Sequence, residues 1–389
     1  MRILHLFDHS ALSLPYSRLA LLAQSLGRIP DAEQDVCLLG NRQLEQAALS
    51  VGIEPRWRIS PPGGHAALSY FAIRNRIPAR TYDLIHCWSA DAMGSATLAM
   101  LLAPSVPRVV TVAQMPSSKQ THWARMLSGD RVGRTTYLPI TSAIRRQLLT
   151  HGVAEQAAHV LRPGIDMGLI AHNKREALRQ AWEVAPGTVV VALLGDPIEV
   201  VNCITAYMTI GLANEGMNPG ENRLALVVHG MQKERIQSMI FARHLGQAEM
   251  VIVDDRIARP WDALPGCDIA MAIGDDAAGL SLLWAMAAGV PIVGEARPSI
   301  CEMVEDHHSA LLARPGVPRL ISHRIAQIIN DPQLAWKLKD TARHEAYSLF
   351  SRQRYVQALG QVYQQMASNQ PVSVPEIPVT GGMRFAGRA

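Results

Sequence analysis

Residues 264–293, which read LPGCDIAMAIGDDAAGLSLLWAMAAGVPIV, contain the pattern that decides the fold class. An apolar run at 269–273 leads into a loop of glycines and aspartates, and a helical segment centred on Trp284 and Met286 follows. A Gly-Val-Pro turn then leads into a second short apolar run at 291–293. Short apolar runs on both sides of a helix are typical of parallel strands that are buried on both faces. The stretch therefore predicts one strand–helix–strand unit of a parallel sheet.

The same alternation of short strands and longer helices occurs twice along the chain. Strands are predicted at 2–7, 35–39, 83–86, 108–112, 137–141 and 159–161 in the first series, and at 188–194, 224–229, 250–253, 269–273 and 291–293 in the second. Closing helices are predicted at 318–329, 332–346 and 351–366. We therefore predict an α/β chain with two Rossmann-like, doubly wound domains that face a cleft, residues 1–165 and 166–366, and a flexible tail at 367–389.

The composition of the 389 residues excludes several classes of protein. Hydrophobic residues make up 48% of the chain, which excludes an intrinsically disordered one. The formal net charge of +4 is too small to indicate a nucleic-acid-binding protein, and we predict no nucleic-acid partner. The five cysteines are scattered without a CxxC pair, so we expect neither a disulfide framework nor a zinc ribbon.

No segment of the chain is predicted to target or span a membrane. His5, Asp8 and His9 interrupt the first residues, unlike the apolar region of a signal peptide. No run approaches the ~18 uninterrupted apolar residues of a membrane helix. We therefore expect a cytoplasmic protein. Peripheral contact with the inner membrane face stays open, since arginines at 74–80 and 145–146 could face anionic lipid, although such clusters are more often solvated surface.

Residues 264–304 resemble the donor-binding half of the retaining family 4 glycosyltransferases, which have the two-domain GT-B architecture. That family's pattern runs from an Ala-Asp strand through an acidic-Gly-x-Gly loop to a helix with Glu-Ala-Met-Ala, then to a Gly-x-Pro strand and an Ile-x-Glu-Met-Val helix. The matching residues here are Cys267-Asp268, Gly279-Leu280, Ala285-Met286-Ala287, Gly289-Val290-Pro291 and Ile300-Cys301-Glu302-Met303-Val304. As a set these matches are specific, and they imply the GT-B fold.

The first half of the chain carries a fainter version of the same resemblance. Residues 82–86 (YDLIH) are similar to the family's Pro-Asp-Val-Val-His strand. Residues 141–166 are similar to its linker, which ends in a Gly-Val-Asp hinge. The resemblance therefore implies a hinge between the domains at Arg162, Gly164 and Asp166.

The resemblance also implies an activity. Family members transfer a sugar from a nucleoside diphosphate sugar to a glycan or a lipid-linked acceptor, with retention and without an essential metal or a resident cofactor. Asp276 would orient the sugar and Glu302 would shape the donor pocket, and these are the two expected catalytic residues. The backbone amides of Ala278, Gly279 and Leu280 would hold the phosphates at a helix N-terminus.

Several positions depart from the family pattern. Trp284 stands where the family has a second carboxylate that accepts the ribose hydroxyls, whereas an indole can only donate a hydrogen bond. Trp284 either fills the vacated pocket or forms a stacking platform for a base or sugar, and we favour the first. The cations that the family has after the strand at 188–194 are missing from 195–201, where Asp196 and Glu199 stand instead.

Several cations elsewhere could replace the missing ones, among them Arg256 and Arg259 beyond a strand end and Arg162 at the hinge. Lys233 and Arg235 follow the predicted strand at 224–229 and would bind the diphosphate if they lie near the donor site. The alternative is that both are solvated surface cations, which is the more common interpretation of such residues.

These departures leave two functions open. One is an active retaining glycosyltransferase. The other is a catalytically degenerate homologue that keeps the fold as a binding or scaffolding subunit and acts through a protein partner. A dinucleotide oxidoreductase is disfavoured, because no G-x-G-x-x-G motif follows residues 2–7 or 188–194.

Overall fold

The computed structural model describes residues 1–8, 16–40, 42–59, 76–88, 102–113, 134–170, 174–195, 200–216, 224–227, 243, 251–252, 254, 259–274, 279–375 and 377. Within these ranges the chain forms two compact units. The first comprises residues 1–164 and 352–377, and the second comprises residues 165–351. Each unit is built on a parallel sheet of six strands.

The sheet of the first unit has the strand order β3-β2-β1-β4-β5-β6. Its strands are β1 (Arg2–Asp8), β2 (Glu33–Leu39), β3 (Trp57–Ile59), β4 (Leu84–Trp88), β5 (Arg108–Val112) and β6 (Thr135–Pro139). The described helices of this unit are α1 (Tyr16–Ser25), α2 (Arg42–Ser50), α3 (Ser142–Thr150) and the last helix of the chain, α10 (Arg352–Ala367). The strand order reverses between β1 and β4, so the sheet is doubly wound around that pair.

The two faces of this first sheet differ in chemistry. Successive side chains point to opposite faces of a strand, so Leu4 and Leu6 lie on one face and His5 on the other. The face of Leu4 carries an apolar core that also includes Ile85. The opposite face buries the imidazoles of His5 and His86, which are paired side by side across β1 and β4.

Helix α10 packs in the first unit, whereas the sequence pattern predicts a second domain that extends to residue 366. The reason is a side-chain contact that spans 277 residues of sequence, since the hydroxyl of Tyr363 forms a hydrogen bond with Nδ1 of His86 on β4. The first residues of the predicted tail also bond to this helix, because the Ser373 N–H donates to Oε1 of Gln365 at 3.0 Å.

The sheet of the second unit has the strand order β12-β11-β10-β7-β8-β9. Its strands are β7 (Val189–Leu194), β8 (Leu224–Val227), β9 (Val251–Ile252), β10 (Ile269–Ala272), β11 (Ile292–Glu295) and β12 (Leu311–Ala313). The described helices of this unit are α4 (Arg175–Ala181), α5 (Val200–Glu215), α6 (Leu280–Ala288), α7 (Pro298–Cys301), α8 (Pro318–Asn330) and α9 (Pro332–Leu349). Here the order reverses between β7 and β10.

Helix α6 is the central helix of the second unit and is buried along almost its whole length, from Leu280 to Ala287. A helix that is buried on every side carries no polar stripe, which explains its run of Leu, Ala and Met. It ends at Gly289, whose φ of +66° is the left-handed conformation that commonly closes a helix.

The predicted fold class is confirmed, since both sheets are parallel and doubly wound and are accompanied by helices. One predicted strand differs. Residues 159–161 form no strand and run beside β6 through two backbone hydrogen bonds, from His159 to Tyr137 and from Leu161 to Pro139. Of the strand predicted at 250–253, residues 251–252 form β9, while 250 and 253 lie outside the described residues.

Candidate functional site

The reversal of strand order in the second sheet brings two chain segments together at one edge. β7 and β10 are neighbours, and the chain continues from them in opposite directions, from β7 to β8 and from β10 to β11. In doubly wound sheets, ligands bind in the crevice at the carboxyl ends of such a pair of strands. The described residues at this crevice include Asn202, in the first turn of α5, and Gly274, two residues beyond β10. We take this crevice as the candidate site.

Gly274 occupies a position that only glycine fits. Its φ is +79°, in the left-handed region that L side chains rarely adopt. A Cβ atom at this position would lie 2.3 Å from Nδ2 of Asn202, a buried side chain. The Asn202 amide therefore packs directly on the Gly274 backbone, and the segments that follow β7 and β10 are in contact.

A buried carboxylate, that of Glu295 at the end of β11, lies beside this crevice. Only 1% of Glu295 is exposed. Its Oε2 accepts hydrogen bonds from the Gly274 N–H at 3.1 Å and from Nε of Arg297 at 2.6 Å. Its Oε1 accepts a third from the Gly316 N–H at 2.7 Å. One side chain thus connects the segments that follow β10, β11 and β12.

The surroundings of Glu295 keep its carboxylate charged. Burial alone would raise the pKa of Glu295. The hydrogen bonds from the Gly316 N–H, the Arg297 guanidinium and the Gly274 N–H outweigh burial and hold the pKa below its usual value of 4.5. A carboxylate with two backbone donors and a guanidinium partner is a well-satisfied buried charge.

The N-terminus of α6 presents backbone donors at the same edge of the sheet. Its N-cap is Gly279, with φ +81° and ψ −136°, and no side chain caps the helix. The first-turn N–H groups of a helix, here those of Leu280 and Ser281, have no intrahelical partners, and they form the positive end of the helix dipole. Such a terminus favours phosphate. The Gly279 N–H itself points at Sδ of Met303, 3.1 Å away, and a thioether is a weak acceptor.

Trp284 lies inside α6 and is 1% exposed. Its ring stacks on that of Trp261, with 4.5 Å between centroids and 13° between planes. Its Nε1–H is buried without a hydrogen-bond partner among the described residues. A stacking platform for a ligand needs an exposed ring face, which Trp284 does not present, so the geometry favours the interpretation that the indole fills its pocket.

The structure describes only some of the residues expected from the family resemblance. Glu302 is buried and directly follows α7, one residue before Met303. The expected sugar-orienting residue, one of the three phosphate-binding amides, the two replacement cations and the acidic segment lie outside the described residues: Asp276, Ala278, Lys233, Arg235 and 196–199. Their roles stay predictions.

The predicted hinge residues lie where the chain passes from the first unit to the second. Arg162 is buried and Gly164 is the last residue of the first unit before the crossing. The Ile165 N–H donates to the Phe350 carbonyl at 2.7 Å. The segment that enters the second unit is therefore hydrogen-bonded to the segment that leaves it. Oδ1 of Asp166 accepts from the Gly168 N–H at 3.1 Å and caps the short turn that follows.

Three residues at the candidate site were not anticipated from the sequence: Asn202, Glu295 and Arg297. The available signal was weak. Glu295 is the single charged residue at the end of the apolar run 291–295, PIVGE, and a charge in a buried strand implies partners. Nothing in the sequence identifies those partners, because Gly274 and Gly316 each lie 21 residues away.

A second buried polar cluster lies within the first unit, on the face of the sheet that carries His5. Nε1–H of Trp88 donates to Nδ1 of His5 at 3.0 Å, so Nε2 of His5 carries the proton and donates to Oε1 of Gln34 at 3.0 Å. Nε2 of His86 is 2.9 Å from the hydroxyl of Thr111. Desolvation lowers the pKa of His5 from 6.5 to about 4 and lowers that of His86 well below 6.5, so both rings are neutral.

Two units, each built on a doubly wound parallel sheet of six strands, agree with the architecture of the GT-B class. Sequence models assign the family. The model for glycosyl transferases group 1 matches residues 217–345, and the model for glycosyltransferase family 4 matches residues 19–169. The chain belongs to the group 1 and family 4 type of glycosyltransferases.

Solved structures share this fold. HepE from Anabaena, crystallised with UDP and glucose, is 18% identical with a TM-score of 0.76, and the match covers 92% of this chain and 99% of that one. Sucrose-phosphate synthase from Thermosynechococcus elongatus is 14% identical with a TM-score of 0.70, covering 95% and 100%. A putative UDP-N-acetylglucosamine 2-epimerase from Listeria monocytogenes is 12% identical with a TM-score of 0.65, covering 97% and 99%. At these identities the likeness shows the fold alone.

No curated protein is significantly similar in sequence to this chain. Among the described helices, none combines the length and the apolar composition needed to cross a bilayer.

Proposed function

We propose that this chain is a glycosyltransferase that moves a sugar from a nucleoside diphosphate sugar to a glycan or a lipid-linked acceptor, with retention of configuration. Membership of the glycosyltransferase family supports the class of reaction. UDP-glucose, which was crystallised with HepE, is the donor to test first, and UDP is the nucleotide to test beside it.

The observation that carries this proposal is the N-terminus of α6 at the reversal between β7 and β10. The donor's diphosphate is the anion that this terminus would receive, with the Leu280 N–H in the first turn pointing at it. The same amides stabilise the negative charge that develops on the departing nucleoside diphosphate as the sugar–phosphate bond breaks. They need no particular side chain, so this function survives the missing cations at 195–201.

The remaining roles follow the family resemblance. Asp276 would orient the sugar hydroxyls, and Glu302 would shape the donor pocket behind Met303. Lys233 and Arg235 would add positive charge beside the diphosphate.

A degenerate binding or scaffolding subunit is the second candidate, and Trp284 favours it. The indole is buried against Trp261 at the position where the family accepts the ribose hydroxyls, so this contact to the nucleotide is missing. A subunit of this kind would act through a protein partner and would bind nucleotides weakly or not at all.

Titration calorimetry with UDP, GDP, ADP and their sugar conjugates separates the two candidates. A working donor site is expected to bind one nucleotide more tightly than ~100 μM, about −5.5 kcal/mol. Gly279→Ala is expected to weaken that binding at least ~10-fold, because a Cβ at φ +81° and ψ −136° distorts the start of α6.

Gly289→Ala provides the matched control. It strains a left-handed glycine at the opposite end of the same helix, away from the phosphate, and should leave nucleotide affinity unchanged. If no nucleotide binds at millimolar concentration, the transferase proposal is rejected and the scaffolding subunit becomes the better account.

A further inference from the structure

We propose that Glu295 is a positioning residue of the donor site, which fixes the start of the segment between β10 and α6 by holding the Gly274 N–H. The inference rests on the proposed function and adds a residue to it. Glu295 acts through the backbone, so its expected effect is on donor binding.

The contacts of Glu295 connect three of the segments at the carboxyl edge of the second sheet. Gly274 follows β10, Arg297 follows β11 and Gly316 follows β12, and each donates a hydrogen bond to the same carboxylate. Three partners from three segments make the carboxylate a common anchor of this edge.

Two glycines supply the backbone donors to Glu295. Gly274 and Gly316 both have positive φ, +79° and +74°, and both direct an N–H at the carboxylate. Asn202 packs against Cα of Gly274, and Glu295 accepts a hydrogen bond from its N–H. The first residue of the segment therefore contacts both the start of α5 and Glu295.

The segment that Gly274 begins is short, with four residues between Gly274 and Gly279. At its far end the Gly279 N–H contacts only Sδ of Met303, a weak acceptor. The Gly274 end, which the Glu295 carboxylate holds, is therefore the more firmly held of the two. Removing the Glu295 anchor releases one end and loosens the helix terminus that would receive the phosphates.

The test uses two variants of Glu295 and a matched control. Glu295→Gln keeps the shape but removes the charge and points an N–H₂ group at backbone donors, whereas Glu295→Asp keeps the charge. Asp268→Asn is the control, because Asp268 lies at the opposite edge of the same sheet, where it pairs with Arg179 at 2.9 Å and accepts from the Val190 N–H at 2.8 Å.

Two measurements are made on each full-length variant. Hydrogen exchange by mass spectrometry on ligand-free protein follows peptides that cover 268–282 and 310–318, and calorimetry follows UDP binding. Glu295→Gln is expected to exchange at least ~10-fold faster in both peptides and to bind UDP at least ~10-fold more weakly. Glu295→Asp should recover part of both losses. Asp268→Asn should lower the melting temperature without weakening UDP binding.

Two results overturn the inference: wild-type exchange of 268–282 in Glu295→Gln, or a loss of UDP affinity no larger than that of Asp268→Asn. If the wild-type protein binds no nucleotide, the proposed function fails, while the exchange comparison still decides whether Glu295 positions the segment. If Glu295→Gln does not fold, the exchange of Glu295→Asp decides, and a wild-type pattern there also rejects the role.

Discussion

Gly274 and Gly316 have similar φ angles but differ in their surroundings. Both have positive φ and both donate to Glu295. A Cβ at 274 would lie 2.3 Å from the buried Asn202 amide, whereas a Cβ at 316 would meet nothing within 4 Å. Replacing each glycine by alanine therefore separates two costs: at 316 only the positive φ is unfavourable, whereas at 274 the added Cβ also collides with Asn202.

We expect Gly316→Ala to lower the free energy of unfolding by about 1 kcal/mol, the cost of a left-handed alanine. Gly274→Ala should cost about 3 kcal/mol, because Asn202 must also move. Urea unfolding of both variants measures the difference. Equal losses would mean that Asn202 gives way freely and that the segments after β7 and β10 are not locked together.

At the scale of elements, helix α10 belongs to the first unit because of the partners of its buried side chains. Tyr363 is fully buried, and its hydroxyl meets Nδ1 of His86 on β4. An apolar face alone would dock equally well on any apolar surface. The polar pair specifies where the helix packs, because a buried imidazole nitrogen without a partner is costly.

Tyr363→Phe is expected to lower the free energy of unfolding by about 1–3 kcal/mol, since it leaves Nδ1 of His86 buried without its partner. Tyr347→Phe on α9 is the control. Its ring is 69% exposed, and its loss of a hydroxyl should change stability by less than about 0.5 kcal/mol. Denaturant unfolding compares the two, and similar losses would show that the Tyr363–His86 contact contributes nothing.

The elements of this fold were predictable where their signal is local. Buried parallel strands such as β7 and β10 appear as short apolar runs, and Gly289 closes α6 as a helix-ending glycine should. The grouping of α10 was not predictable, because its deciding contact spans 277 residues. The anchor at Glu295 was missed for the same reason, since its backbone partners carry no side-chain signal.

At the candidate site, too, local features were predictable from the sequence and distant contacts were not. The position of α6 followed from the motif around Gly279, because a glycine before an apolar helix is a local feature. The occupation of the Gly279 N–H by Met303 and the stacking of Trp284 on Trp261 depend on tertiary packing. The sequence therefore predicted where α6 begins, while the contacts of its first residues required the structure.

At the scale of the whole molecule, the two units should respond differently to acid. The first unit buries His5 and His86 in neutral form, and desolvation lowers the pKa of His5 from 6.5 to about 4. Between these values the unfolded chain binds more protons than the native one, so stability rises with pH. The contribution of His5 is complete above about pH 6.5 and is lost as pH falls toward 4.

In the second unit, the pKa of Glu295 lies below its ordinary value of 4.5. The stability that its carboxylate contributes is therefore lost only when the pH falls below that value. Acidification from about pH 7 to about pH 5 should therefore lower the free energy of opening of β1 and β4 by about 2 kcal/mol from His5 alone. It should not lower that of β7 and β10, because burial raises the pKa of Glu345 on α9 and the native second unit then binds a proton more readily than the unfolded chain. Native-state hydrogen exchange, corrected for intrinsic rates, measures both units in one sample. His5→Gln should flatten the pH dependence of the first unit. Equal losses in the two units would show that the buried imidazoles do not govern the acid response.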